Sequence, residues 1–173
     1  PGVFEGKLEN EGILNFHASV VFEGLLINKG TLEIKSGFSV EVKFQGGLVN
    51  QGTFAANHNP DATVHWQGST RLESGSVELN GVSLKISGHV QESGDQFSVQ
   101  SSNLELSGRT VWMVPRSLTF TELFLHGNTL LLGDNATGLR FSNKVTMDQA
   151  SEQIILGHGS LELLGGLELK KGY

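Results

Sequence analysis

The sequence predicts an all-β chain wound into a parallel β-helix, a β-solenoid of about eight to nine coils of roughly 20 residues each. Three observations carry that expectation. First, residues 4–14, 22–32 and 44–54 superpose on one phrase, aromatic-x-Gly-x-Leu-x-Asn-x-Gly-x-apolar. Second, from Phe4 to Phe44 the even positions hold mostly apolar residues, glycine and asparagine. The odd positions are mostly Glu, Lys, Asn, His, Ser and Thr, with exceptions at Ile13, Val21, Leu25 and Ile27. This period of two outlasts any single strand of about 3–10 residues, and a helix cannot produce it. Third, 23 glycines stand against 3 prolines. That composition, without a three-residue period, excludes collagen, and the regular apolar spacing argues against disorder.

Extending the register gives further repeat starts at Trp66, Ile86, Leu106, Leu125, Phe141 and Leu163. The copies drift. One extra residue precedes Gly75, Glu92 replaces the asparagine, parity slips by one before Leu125, and Asn143 stands where glycine is expected. Steps between starts run from 16 to 22 residues. That suits a coil of three short strands and is too short for a propeller blade of about 40 residues. Each strand then bonds in parallel to its equivalents about 4.8 Å away. Phe4, Phe22, Phe44, Trp66, Ile86, Leu106 and Leu125 should form one inward column. Leu8, Leu26 and Leu48 should form another, continued by Thr70 or Leu72. Glycine columns at 6, 24, 46, 68, 88, 108 and 127, and at 12, 30, 52, 75 and 94, should supply positive φ or room at the corners. Right-handed winding follows from the preference for right-handed parallel crossovers. Residues 1–173 read as a single solenoid domain, and a start at Pro1 with a repeat under way at 170–173 reads as a segment of a longer chain.

Several function classes are disfavoured by the totals. A net charge of −6 provides no basic stripe for nucleic acid. No apolar run approaches the roughly 20 residues of a membrane span. Cysteine is absent, so neither a disulfide framework nor a thiolate metal site is available.

The phrase Gly-x-Leu-x-Asn-x-Gly-Thr, at 24–31 and 46–53, resembles the right-handed parallel β-helices of large secreted and surface proteins. These include autotransporter passengers, filamentous haemagglutinin-type adhesins and phage tailspikes. The resemblance is strong over the first third of the chain and rests on spacing beyond it. It implies a structural or adhesive segment of an extracellular or cell-surface protein, acting as spacer or binding surface. Its partners would be other domains of the same protein and a cell-surface or glycan ligand. Two alternatives stay open. One is a polysaccharide-active lyase or hydrolase whose groove is built by 57–63 and 133–153; the other is a fibre subunit that self-associates end to end through uncapped strand edges.

The residues that carry chemistry follow the ladder and do not converge. Asn10, Asn28 and Asn50 fall at equivalent turns, as ligand contacts or as an internal amide ladder that satisfies corner backbone groups. Glu5 and Glu23 share an outward column, as a glycosidase pair would. Gln45 and Gln67 continue that column uncharged, Glu9 and Glu11 lie one face further on, and Lys7 and Lys29 sit alongside. The histidines (17, 58, 65, 89, 126 and 158) show no HxH or HExxH spacing, and the aspartates (61, 95, 134 and 148) lack the nonapeptide calcium phrase. No catalytic, metal or cofactor residue is expected. Asn135 heads an Asn-Ala-Thr sequon in a turn-like stretch, a glycosylation site if the chain is secreted by a glycosylating host.

Overall fold

Apolar–polar alternation cut by glycine, asparagine and serine corners cannot extend into long strands, and the chain folds as strands of three to five residues. The computed structural model describes residues 1–35, 37, 39–57, 59–93, 96–107, 110–113, 117–126, 129–132, 138–143, 145–147, 153–156 and 161–169. The first coil has three sides, β1 (Gly2–Phe4), β2 (Leu8–Asn10) and β3 (Ile13–Phe16). Next come β4 (Val20–Phe22), β5 (Leu26–Asn28) and β6 (Thr31–Ile34), then β7 (Glu41–Phe44), β8 (Leu48–Asn50) and β9 (Thr53–Asn57). They are followed by β10 (Thr63–Trp66), β11 (Thr70–Leu72), β12 (Ser76–Asn80), β13 (Ser83–Ile86), β14 (His89–Glu92) and β15 (Gln96–Gln100). The later coils comprise β16 (Asn103–Ser107), β17 (Thr110–Met113), β18 (Ser117–Phe120), β19 (Leu123–His126), β20 (Thr129–Leu132) and β21 (Gly138–Phe141). The last strands described are β22 (Val145–Met147), β23 (Gln153–Leu156), β24 (Leu161–Leu163) and β25 (Leu167–Leu169).

Every third strand pairs with its equivalent, always in parallel. The first face stacks nine strands from β1 to β25, and the second stacks eight from β2 to β23. The third face is continuous for five strands from β3 to β15, then resumes as a separate three-stranded sheet, β18-β21-β24. Nine strands at about 4.8 Å make a rod roughly 40 Å long.

The expected inward column exists. Phe4, Phe22, Phe44, Trp66, Ile86, Leu106 and Leu125 are successive register partners. All but Phe4 are buried. The ring of Phe22 stacks on Phe4 at 5.2 Å and on Phe44 at 5.5 Å. Leu8, Leu26 and Leu48 form the second column, and Thr70, not Leu72, continues it.

One expectation needs correction, and one open alternative is decided. Phe141 and Leu163 are not repeat starts. They pair in the column of Phe120 on the third face, and the start column runs on from Leu125 to Met147 and Leu169. An aromatic or leucine ahead of a tight corner looks the same on either face, so the local pattern cannot tell them apart. The glycine columns provide room and not positive φ: among the described glycines only Gly37, Gly47, Gly81 and Gly166 have φ in the left-handed region, and none belongs to those columns. Glycines 94, 108 and 127 lie outside the described residues.

Candidate functional site

In the first three coils the corner between second and third faces is an Asn-x-Gly turn. Asn28 and Asn50 are buried, and Asn10 is 8% exposed. Asn10 Nδ2 donates to Asn28 Oδ1 at 2.8 Å, and Asn28 Nδ2 donates to Asn50 Oδ1 at 2.7 Å. The same amide groups donate to the carbonyls of Thr31, Thr53 and Ser76 in the next coil. Gly12 N donates back to Asn10 Oδ1 at 3.2 Å. Corner backbone groups that would otherwise be buried without partners are thereby closed. With their amides engaged inside the wall, Asn28 and Asn50 present nothing to a ligand.

The ladder stops at the extra residue. Leu72 sits below Asn50, and Ser76 sits below Thr53, so the fourth coil turns the same corner with one residue more. The two-residue reach from side chain to corner glycine is lost there. One coil further, Glu92 occupies the column. Its Oε1 accepts a hydrogen bond from Trp112 Nε1 at 3.0 Å, and both residues are buried.

Outside this corner, on the third to fifth coils, lies an open polar groove of about 600 Å³. Gln51, Thr53, Glu73, Ser76, Ser93 and Gln96 line it. Its carboxylate is already occupied. Arg71 lies 2.6 Å from Glu73 Oε1, and Gln51 Nε2 donates to Glu73 Oε2 at 2.8 Å. Among the described residues the groove's one acid is ion-paired and its other side chains are hydroxyls and amides, which suit hydrogen bonding to a polyol better than proton transfer.

A row of titratable residues lies on the first face. Lys43, His65 and Lys85 are register partners on consecutive strands. Lys43 pairs with Glu41 at 3.1 Å, and Lys85 pairs with Glu105 at 2.8 Å. His126 Nε2 lies 3.8 Å from Glu105, and His65 Nε2 lies 3.0 Å from Ser87 Oγ. Burial holds the His65 pKa below its usual value; the Lys43 and Lys85 charges add to this, and Glu41 and Glu105 oppose it.

Glu5 and Glu23 stand exposed just after β1 and β4, at a three-residue corner. Lys29 joins β2 to β5 by pairing with Glu9 and, at 3.7 Å, with Glu11. Its hydrogen bond and charge hold the Glu9 carboxyl below its usual range, and Glu9 raises Lys29 in turn. His17, His89 and Asp61 are exposed. Among the described residues no three His, Asp or Glu side chains gather as metal ligands. Asn135, His58, His158, Asp95, Asp134 and Asp148 lie outside the described residues.

Of the two stretches set aside as groove walls, 57–63 is a short turn between β9 and β10 that packs inward, and the described part of 133–153 is largely strand. Within 57–63, Asn59 turns inward, is buried, and donates from Nδ2 to Lys35 O at 3.1 Å. Ala62, also buried, donates its amide to Asn59 O at 3.0 Å. The span 133–153 contains β21 and β22. Sequence reading missed the polar groove and the Lys43–His65–Lys85 row. The row was within reach, because the three residues share the outward parity at successive repeats.

Compared with protein-family models, with curated proteins and with solved structures, the chain matches none.

Proposed function

We propose that this solenoid is a scaffold segment of a large extracellular or cell-surface protein, acting as a spacer and as a binding surface for a glycan. The observation that supports it is the disposition of charge. Glu9, Glu33, Glu41, Glu73 and Glu105 each pair with a lysine or arginine on the same or an adjacent strand. Much of the outward charge is thus held along the rod as ion pairs, where a reaction centre needs an acid and a base aimed at one point. Solenoids stack repeats into long surfaces suited to display and spacing, and the likeness of the phrase at 24–31 and 46–53 to secreted β-helices supports an extracellular setting.

Incubating the protein with neutral and acidic polysaccharides decides between scaffold and enzyme. The expected result is saturable binding to at least one chain, weakened by Gln96→Ala in the groove, with no new reducing ends and no unsaturated uronate absorbance. Turnover that disappears in Glu23→Gln would replace the scaffold by the polysaccharide-active enzyme.

A further inference from the structure

Asn80 is the one asparagine of this sequence that is followed by glycine. In an Asn-Gly pair no side chain shields the next amide nitrogen, which can then reach the asparagine's own carboxamide carbon. The ladder asparagines lack that freedom. Asn10, Asn28 and Asn50 are followed by Glu11, Lys29 and Gln51, and their amides are engaged inside the wall.

The place of the pair in the fold decides how often such an attack can occur. Asn80 ends β12, half-buried, at the corner that leads to β13. It lines an open hollow of about 210 Å³ with Asn57, Glu78, Ser98 and Gln100. Gly81 has a φ of 67°, and its N–H donates to Gln100 O at 2.9 Å. While that bond holds, it fixes the Gly81 nitrogen in the stack. Two features weaken the accepting strand. Among the described strands β15 ends its five-stranded sheet. Ser101, directly after Gln100, is the one described residue other than glycine with φ in the left-handed region, at 48°. Local opening is easiest at such thinly supported places.

We propose that Asn80 is a site of spontaneous deamidation in the folded protein, paced by the opening of Gly81 from Gln100. In the open state Gly81 N attacks Asn80 Cγ and gives up its proton to water or hydroxide. The Gly81 N–Cγ bond forms, the Cγ–Nδ2 bond breaks, and the amide nitrogen leaves as ammonia. Water then opens the cyclic imide. Cleavage at Cγ leaves aspartate at this position. Cleavage at the backbone carbonyl leaves isoaspartate, with the chain rerouted through Cβ. Water enters and ammonia departs, with no oxidation or reduction. Either product sets a second carboxylate beside Glu78 in the hollow. Isoaspartate also lengthens the backbone where Asn80 pairs with Asn57 and Gln100. No ligand or turnover enters this reaction, so it stands or falls apart from the scaffold reading.

The protein is incubated at mildly alkaline pH, folded and in denaturant, and the tryptic peptide 72–85 is separated and weighed. Asn80 is the only side-chain amide in that peptide. Amide exchange at Gly81 is followed under the same conditions. Asn80 should convert to aspartate and isoaspartate in the folded protein, and faster as pH rises. Conversion should be slower than in denaturant by the factor that protects the Gly81 amide, because both need the same opening. Ser101→Gly, which relieves the left-handed serine, should change conversion and exchange by one common factor. The unsubstituted chain supplies the central comparison, so it does not depend on a variant that folds. Three results overturn the proposal: Asn80 intact in the folded protein after it has converted in denaturant, conversion equally fast in both, or Gly81 exchange that changes in Ser101→Gly while conversion does not.

Discussion

Coils one to three and coils four to eight reach the same wall by different means. In the first three, like stacks on like: Phe4, Phe22 and Phe44; Leu8, Leu26 and Leu48; Asn10, Asn28 and Asn50. Beyond Trp66 those three columns are mixed. Ile86, Leu106 and Leu125 follow Trp66, Val90 and Trp112 follow Thr70, and Leu72 and Glu92 follow Asn50. Aromatic bulk leaves the first face in that region. Phe97 of the third face comes within 5.9 Å of Trp66, Trp112 of the second face lies 6.0 Å from Phe97, and Phe120 and Phe141 carry the series along the third face. A coil's cross-section has to be filled and its corner groups satisfied. Identical columns do both automatically. Mixed columns do it by compensation between faces, and the repeat then fades from the sequence while the backbone stacking persists.

The largest effect that tests this contrast is on the aromatic stack. Phe44→Ala removes a buried ring packed on Phe22 and edge-on to Phe54 at 5.9 Å. It should cost about 3–5 kcal/mol, against roughly 0.5–1.5 kcal/mol for Ile86→Val in the mixed part of the same column. Denaturant midpoints with unchanged slopes report both, and equal losses would dissolve the distinction. Leu48→Ala, in the uniform leucine column, should cost about 2–5 kcal/mol. An unmoved midpoint would mean that the column is not packed.

Asn28→Ala removes the Nδ2 donor from Asn50 Oδ1 and Thr53 O, while Asn10 Nδ2 keeps its bond to Thr31 O. A loss of about 1–3 kcal/mol for each buried group left without a partner is expected. Leu72→Asn should not recover stability by lengthening the ladder, because the fourth corner has the extra residue. A gain from that variant would show that residue type, and not corner length, ends the ladder.

A smaller effect is pH-dependent and belongs to the mixed region. The folded-state pKa of His65 is depressed by burial and by the Lys43 and Lys85 charges. Protonation therefore opposes folding. The contribution is complete above the unfolded value, about 6.5, and is lost as pH falls through the lower folded value. His65→Gln should flatten the decline in thermal midpoint on acidification, and an unchanged slope would exclude His65 as its source. Smallest of all, Lys29→Gln breaks the exposed pairs with Glu9 and Glu11. Its midpoint should match the parent in high salt, where such pairs are screened.

How much was legible tracks the same divide. In the uniform coils, residue type names the place: an aromatic, a leucine or an asparagine at its offset indicates face, burial and partner. In the mixed coils no type is tied to one face, so Phe141 and Leu163 pass for starts although they lie on the third. The polar groove escaped because it joins residues from three coils, each unremarkable in its own coil.

By itself, then, the sequence determined that the chain coils in parallel, with a period near 20 residues and an inward parity, because alternation and glycine spacing are local properties that every repeat states afresh. Only the tertiary structure decided which corner glycine meets which carbonyl, where the asparagine ladder ends, and how Trp66 passes its bulk to Phe97 and Trp112. The first two depend on the residue directly above or below, 18 to 26 positions away, and the last on contacts that cross from one face to another. Whether two such residues meet is set by every corner length between them.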